Sequence, residues 1–149
     1  MKTWTALFVI GMFTTAVAMA DDVADVKAAV QSYFAAISSG NAAAVARYRI
    51  PEYSVFVGGG LLDRSSSIAQ QRADFQALTD TGREVDLRIQ HLEVRIYGNT
   101  AVFTGYVTGT NTLSDGTVIQ SRQQRTGVWI KQGGQWKEVH RHASPLFPQ

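Results

Sequence analysis

The chain has 149 residues, of which 45% are hydrophobic and 17% are charged, which predicts one globular domain and excludes a disordered or coiled-coil chain. With 14 basic and 12 acidic residues, the net charge of +2 is far below that of a nucleic-acid-binding surface, so no nucleic acid is expected as a partner. The sequence contains no cysteine, which excludes disulfide bonds, zinc fingers and thiol nucleophiles.

Residues 1–20 have the pattern of an export signal. Lys2 is followed by an uncharged, apolar run from Trp4 to Val17, and Ala18-Met19-Ala20 presents the small residues that signal peptidase recognises. The run is shorter than the roughly 20 residues that span a bilayer as a helix. We therefore predict cleavage after Ala20, a mature domain at residues 21–149, a periplasmic or secreted location, and no membrane attachment after signal removal. An uncleaved N-terminal anchor is the alternative.

Three helices are predicted in the first half of the mature chain. Apolar residues recur every three or four positions over residues 23–37, which gives one apolar stripe on a helix. Asn41 can cap a second, short helix over 42–48. A β-branched and aromatic segment follows at 53–57, and Ser65-Ser66-Ser67 can cap a third helix.

From Glu84 onward the apolar residues alternate, which is typical of strands with one buried face. The alternation changes phase at Gln90-His91, which predicts a β-bulge or a bend. Glycine-containing turn signals then separate long strands predicted at 100–113, 117–131 and 136–144. Helices followed by an antiparallel meander indicate an α+β fold, with three N-terminal helices packed on one face of a strongly bent antiparallel sheet.

The last two predicted strands carry recognisable motifs. Arg125-Thr126-Gly127-Val128-Trp129 is followed, after a glycine-rich turn, by Trp136-Lys137-Glu138-Val139-His140-Arg141-His142-Ala143-Ser144. This pair resembles the corresponding strands of SnoaL-like proteins in the nuclear-transport-factor-2-like (cystatin-like cone) superfamily. It is also similar to the association domain of calcium/calmodulin-dependent kinase II. The segments 94–102 and 33–41 fit the same pattern, so the resemblance covers essentially the whole mature chain.

The resemblance implies a cone in which the curved sheet and three helices enclose one pocket. It also implies a homodimer, or a larger ring, formed through the exposed face of the sheet. It does not imply one activity, because members of the superfamily include isomerases, dehydratases, cyclases, binding modules and assembly domains.

Arg125 lies in the middle of a long predicted strand that is polar on both faces, one of which must look into the cone. An inward arginine keeps its charge and needs an acceptor, and a carboxylate on a small molecule would bind it in bidentate geometry. The alternative is that Arg125 pairs with an internal acid such as Glu93 or Glu138. Both interpretations stay open at this point.

His140 and His142 are two residues apart on one predicted strand, so their side chains share a face. With Glu138, which the same spacing places on that face, they would form part of a metal site. We favour the interpretation that these histidines hydrogen-bond a pocket wall or a subunit contact. We therefore expect no metal and no cofactor.

Tyr33 matches, by the resemblance, the helix-one tyrosine of the ketosteroid isomerases. Those enzymes carry an aspartate base on the first strand, whereas residues 55–59 contain no carboxylate here. Because proton abstraction needs a positioned base, the isomerase mechanism is not expected. Tyr33 is instead predicted to line the pocket, together with Tyr106 and Trp129.

The sequence thus predicts an exported protein that binds a small molecule, and a carboxylate is the ligand group that Arg125 suggests. The predicted ligand-binding residues are Tyr33, Tyr106, Arg125, Trp129, His140 and His142. One alternative is a lyase, isomerase or cyclase that uses His140 or His142 as acid or base. The other is a homo-oligomeric association module without ligand chemistry.

Overall fold

The computed structural model describes residues 11–56, 62–64 and 67–146, with side chains from residue 21 onward except at Asp63. This part of the chain contains three helices and one six-stranded sheet. In chain order the elements are α1 (Gly11–Ser38), α2 (Ala42–Arg47), β1 (Arg49–Phe56), β2 (Leu62–Arg64), α3 (Ile68–Asp80), β3 (Glu84–Tyr97), β4 (Thr100–Thr112), β5 (Val118–Gln132) and β6 (Gln135–Pro145).

Helix α1 begins at Gly11, upstream of the start that the sequence predicts near residue 23. Residues 1–10 and the side chains of residues 11–20 lie outside what the structure describes, so the export signal and cleavage after Ala20 stay predictions. Within the described ranges, no helix combines the length and the apolar character needed to cross a membrane.

Polar side chains begin the two shorter helices. Asn41 accepts a hydrogen bond from the Ala44 amide at 2.9 Å at the start of α2. Ser67 Oγ accepts one from the Gln70 amide at 3.1 Å at the start of α3. Each bond satisfies an amide that the first helical turn leaves without a partner. Both caps confirm the sequence prediction.

The strands are ordered β2-β1-β6-β5-β4-β3. Strands β3 to β6 form the predicted antiparallel meander. In contrast, β1 runs parallel to β6, which departs from the expectation of a wholly antiparallel sheet. A parallel pair needs a long connection, and here most of the chain separates the two strands. The short edge strand β2, which pairs with β1, has no counterpart in the sequence prediction.

Two bulges change which side chains face the interior. The register of β3 shifts between Gln90 and Glu93, and His91 has a φ of 51°, which confirms the predicted bulge. On β6 a second shift leaves Val139 without an opposite residue on β5. One extra residue reverses the alternation of a strand. The alternation of inward and outward side chains therefore differs between the residues before Val139 and the residues after it.

This second bulge corrects one prediction. Glu138 is fully buried on the inner face, whereas His140 and His142 lie on the outer face beside Phe56 of β1. The prediction that Glu138 shares a face with the two histidines is wrong, because simple alternation does not hold across Val139.

The apolar stripe of α1 packs on the inner face of the sheet, where Phe34 and its neighbours meet Phe103 and Trp129. Gly127 makes room for this packing, because a Cβ at that position would lie 2.2 Å from Phe103 Cε1. These core side chains surround Trp129. Arg125 precedes Gly127 by two residues on the same face of β5 and lies at the edge of this core.

Candidate functional site

Arg125 faces the interior of the cone and is 7% exposed. It shares the inner face of β5 with Ser121, Gly127 and Trp129, all of which are buried. The side chain lines a cavity of about 300 Å³ that lies between the inner face of the sheet and α3. The sequence left the face of Arg125 undetermined, and the structure places it inside.

Two further arginines, Arg49 on β1 and Arg141 on β6, line the same cavity. Tyr33 on α1 joins them, because its hydroxyl oxygen accepts hydrogen bonds from Arg49 Nη2 at 2.5 Å and from Arg141 Nη1 at 3.0 Å. The Arg49 guanidinium also lies 4.6 Å from the ring centroid of Tyr53. A phenol and an aromatic face thus hold two cations in place without neutralising them.

The interior arginines are cationic at neutral pH. Burial and the charge of Arg141 lower the pKa of Arg125, but only to about 10. Burial also lowers the pKa of Arg141, yet Tyr33, Tyr53 and Glu138 together outweigh burial and the net pKa is raised. The same balance of burial against Tyr33 and Tyr53 raises the pKa of Arg49. Three positive charges therefore lie at one interior cavity.

Arg125 uses few of its hydrogen-bond donors within the described chain. Its Nη2 donates to Gln123 Oε1 at 3.0 Å, and its guanidinium lies 5.0 Å from the ring centroid of Phe34. Its Nε and Nη1 are buried and have no hydrogen-bond partner among the described residues, and the same holds for Nε of Arg141. Buried donors without an acceptor are costly. These atoms therefore indicate where an anionic group would bind.

Neither acid considered as a partner for Arg125 forms an ion pair with it among the described residues, although the nearby carboxyl of Glu138 acts to raise the pKa of Arg125. Glu93 is exposed and lines a groove on the outer face of the sheet. Glu138 is buried on the inner face, but within the part of the chain that is described its carboxyl oxygens have no hydrogen-bond partner and no ion pair joins it to Arg125. The interpretation of Arg125 as one half of an internal ion pair therefore loses support.

A second cavity of about 310 Å³ meets the first at Arg125 and Arg141. The first cavity has a mixed wall, whose apolar part includes Ile37, Phe75, Leu78, Val85 and Leu87. The wall of the second, near the ends of β5 and β6, is more polar and includes Gln120, Ser121, Arg122, Gln123 and Ser144. The two arginines thus lie where a mixed and a more polar cavity meet.

His140 and His142 lie on the opposite face of the sheet from Arg125. His140 Nδ1 is 2.8 Å from Ser54 Oγ on β1, and the ring of Phe56 lies 5.6 Å from His140 and 5.9 Å from His142. Neither histidine lines the two interior cavities at Arg125, but His142 lines a groove on the outer face to which Arg125 also contributes. Within the ranges that the structure describes, no three His, Cys, Asp or Glu side chains are grouped to hold a metal ion.

Tyr106 also lies on the outer face, where it is 45% exposed. Its ring centroid lies 6.0 Å from that of His91 in a groove of about 470 Å³. The other residues of this groove include Glu93, Thr104, Gln124, Thr126, His142 and Ser144. Arg125 also contributes to the lining of this polar groove, so the outer groove and the interior cavities meet at Arg125.

The six predicted site residues divide between the two faces of the sheet. Tyr33 and Trp129 are core residues with ring centroids 6.1 Å apart, and neither of them lines the two interior cavities at Arg125. Tyr33, Arg125 and Trp129 thus lie inside, whereas Tyr106, His140 and His142 lie outside.

Arg49 and Arg141 were not predicted from the sequence as site residues. Arg141 lies between His140 and His142, so it must face opposite to both, and this signal was available once their face was known. Arg49 has no such signal, because it reaches the cavity through the parallel pairing of β1 with β6, which joins distant parts of the chain.

Residues 22–146 match the family of calcium/calmodulin dependent protein kinase II association domains. No match emerges among curated proteins. A solved structure from Xanthomonas campestris, named as such an association domain, is 22% identical with a TM-score of 0.61, covering 95% of this chain and 93% of its own.

Two further solved structures resemble the chain. A Streptomyces avermitilis protein named as an NTF2-like dehydratase is 16% identical with a TM-score of 0.74, covering 87% of this chain and 99% of its own. A ketosteroid isomerase-like protein from Erwinia carotovora is 19% identical with a TM-score of 0.70, covering 86% of this chain and 98% of its own. These likenesses confirm the predicted α+β cone, and at such identities they show the fold alone.

Proposed function

We propose that this chain, which belongs to the calcium/calmodulin-dependent protein kinase II association-domain family, binds a small molecule in its interior. The ligand would bind through a carboxylate group. The observation that carries the proposal is the set of buried donors on Arg125 and Arg141. These residues line one cavity, and Nε and Nη1 of Arg125 and Nε of Arg141 have no acceptor among the described residues.

A carboxylate fits these donors in charge and shape. It can accept from a guanidinium through both oxygens, and such charge-assisted pairs are roughly twice as strong as neutral hydrogen bonds. The ligand would supply the acceptor that neither Glu93 nor Glu138 supplies. The cavity of about 300 Å³ is at the small end of ligand pockets, which favours a small molecule over a macromolecule.

Isothermal titration calorimetry with benzoate and hexanoate tests this proposal. Arg125→Gln removes the charge while keeping a polar side chain, and we expect it to weaken binding by about tenfold or more. Arg88→Gln is the matched control, since Arg88 lies on β3 with its side chain 77% exposed, and it should leave binding unchanged. Equal affinity of wild type and Arg125→Gln, or failure of both carboxylates to bind, would contradict the proposal.

Catalysis by His140 or His142 has less support than binding. An acid or base must lie within hydrogen-bond reach of the group on which it acts. Neither histidine lines the interior cavity, although His142 and Arg125 both line the outer groove. A ligand held by Arg125 in the interior cavity would therefore be out of reach of these side chains. The relatives named as a dehydratase and as isomerase-like share only the fold.

We also propose that the chain forms a homodimer through the outer face of the sheet. The family takes its name from association, and this face exposes the aromatic rings of Phe56 and Tyr106, which are 38% and 45% exposed. Tyr106→Glu should yield monomers in analytical ultracentrifugation. Ala77→Glu, at an exposed position of α3 on the other side of the sheet, should remain dimeric. A monomeric wild type would refute the dimer.

We propose in addition that the protein is exported and cleaved after Ala20. This rests on the sequence of residues 1–20. Mass spectrometry of the protein recovered outside the cytoplasm should find a chain that begins at Asp21. Recovery of the intact chain with residues 1–20 would count against it.

A further inference from the structure

A fourth arginine lines the interior cavity at a distance from the first three. Arg83 lies in the turn between α3 and β3 and contributes to the same cavity wall as Arg125 and Arg141. Its Nη2 donates to Asn111 Oδ1 at 2.8 Å. Its Nε is buried and has no hydrogen-bond partner among the described residues. Arg83 thus has the same unmet donor as Arg125, in a second place.

Arg83 and Arg125 reach the cavity from different ends. Asn111, which orients Arg83, lies six residues along β4 from Gly105, the residue that pairs with Arg125. At about 3.3 Å per residue, these two backbone positions are at most about 20 Å apart. The Arg125 side chain shortens that span, because its Nη2 donates to Gln123 Oε1, and Gln123 pairs with Val107, toward the Asn111 end of β4. A ligand that touches both guanidiniums therefore needs two acceptor groups joined by a spacer of several atoms.

The wall of this cavity also indicates the chemistry of the part of the ligand that joins its two charged ends. Apart from its arginines it is largely apolar, with contributions from Ile37, Phe75, Leu78, Val85 and Leu87. Apolar surface favours a hydrocarbon chain. The cavity therefore combines two cationic regions with apolar walls.

The balance of charge favours two negative groups over one. Four arginines line the cavity, namely Arg49, Arg83, Arg125 and Arg141, against one acid in the wall, Asp74, and the buried carboxyl of Glu138 close to Arg125 and Arg141. Asp74 is exposed, and its Oδ1 accepts a hydrogen bond from Gln70 Nε2 at 2.6 Å. A ligand with a single carboxylate would leave the buried donor of Arg83 without an acceptor.

We propose, resting on the carboxylate-binding function above, that the ligand is an elongated dicarboxylate. One carboxylate binds Arg125 and Arg141, the hydrocarbon chain lies along the apolar wall, and the second carboxylate binds Arg83.

Calorimetry with two matched series tests this inference, adipate and suberate against hexanoate and octanoate. In the wild type we expect one dicarboxylate to bind about tenfold or more tightly than the monocarboxylate of equal length. Arg83→Gln should abolish that preference and leave monocarboxylate binding unchanged, whereas Arg125→Gln should weaken both series. Arg88→Gln is again the control that should change neither.

The outcomes separate this inference from the proposed function. If monocarboxylates bind in an Arg125-dependent way but dicarboxylates have no advantage, or if Arg83→Gln weakens both series equally, the inference is overturned and the function stands. Tighter binding of ε-aminocaproate than of adipate would also overturn it, because Asp74 would then recognise the far end. If no member of either series binds, the proposed function fails and the inference fails with it.

A second variant covers the case in which Arg83→Gln does not fold, as judged by circular dichroism. Asn111→Ala removes the acceptor that orients Arg83 while leaving the charge in place. We expect the dicarboxylate preference to fall severalfold in this variant. An unchanged preference in folded Asn111→Ala would contradict the assignment of Arg83 to the second carboxylate.

Discussion

The inner and outer faces of the sheet carry polar residues from the same strands in opposite surroundings. On β6, Arg141 lines the interior cavity, while its neighbours His140 and His142 lie on the outer face. On the inner face a buried donor depends on the protein or on what fills the cavity for its acceptor, so an unmet guanidinium favours an anion. On the outer face, solvent can satisfy the same kinds of groups. The face of a residue therefore decides its role more than its type does.

The largest expected contrast between the two faces is in stability. Trp129 is fully buried on the inner face, whereas Tyr97 on the outer side of β3 is 61% exposed. Trp129→Ala should lower the free energy of unfolding by about 3–5 kcal/mol. Tyr97→Ala should change it by less than about 0.5 kcal/mol. Chemical denaturation of both variants measures the two free energies of unfolding. A similar loss of stability in both variants would contradict the expected difference between the faces.

A smaller loss of stability is expected when the hydroxyl that contacts two interior arginines is removed. Tyr33→Phe keeps the buried ring but leaves Arg49 and Arg141 without their shared acceptor. The free energy of unfolding should fall by about 1–3 kcal/mol. Tyr106→Phe removes an exposed hydroxyl on the outer face and should have almost no effect. A Tyr33→Phe variant as stable as wild type would show that the inner hydroxyl contributes no more than the outer one.

The smallest expected effect is the response of ligand binding to pH. The pKa of Arg125 is lowered by burial to about 10, which is still well above neutrality, so this residue keeps its charge between about pH 6 and 8. The calorimetric affinity for hexanoate should therefore be flat over this range and should fall only above about pH 10. Binding through a histidine would vary within the range. A clear change of affinity between pH 6 and 8 would indicate that the ligand binds on the outer face instead.

The sequence was most informative where the signal is local. Side-chain caps at Asn41 and Ser67 and the bulge at His91 all follow from residue types and alternation within a few positions. The helix-then-meander order predicted the fold class for the same reason. Local patterns reflect hydrogen bonding and burial of one face, which act over short stretches of chain.

The site itself depends on contacts that no local pattern reports. The bulge at Val139 has no glycine or other signal, yet it turns Glu138 inward and reverses the phase of the strand. The parallel pairing of β1 with β6 brings Arg49 to Arg141 across most of the chain. Arg125 could be selected by its residue type, but its face and its partners could not be predicted.

The central claim is that the ligand binds on the inner face through Arg125. A crystal structure of the protein soaked with hexanoate tests it most directly. The account predicts the carboxylate within hydrogen-bond distance of Nε or Nη1 of Arg125 and of Nε of Arg141. A carboxylate bound in the outer groove beside Tyr106 and His142, with the interior donors untouched, would contradict it.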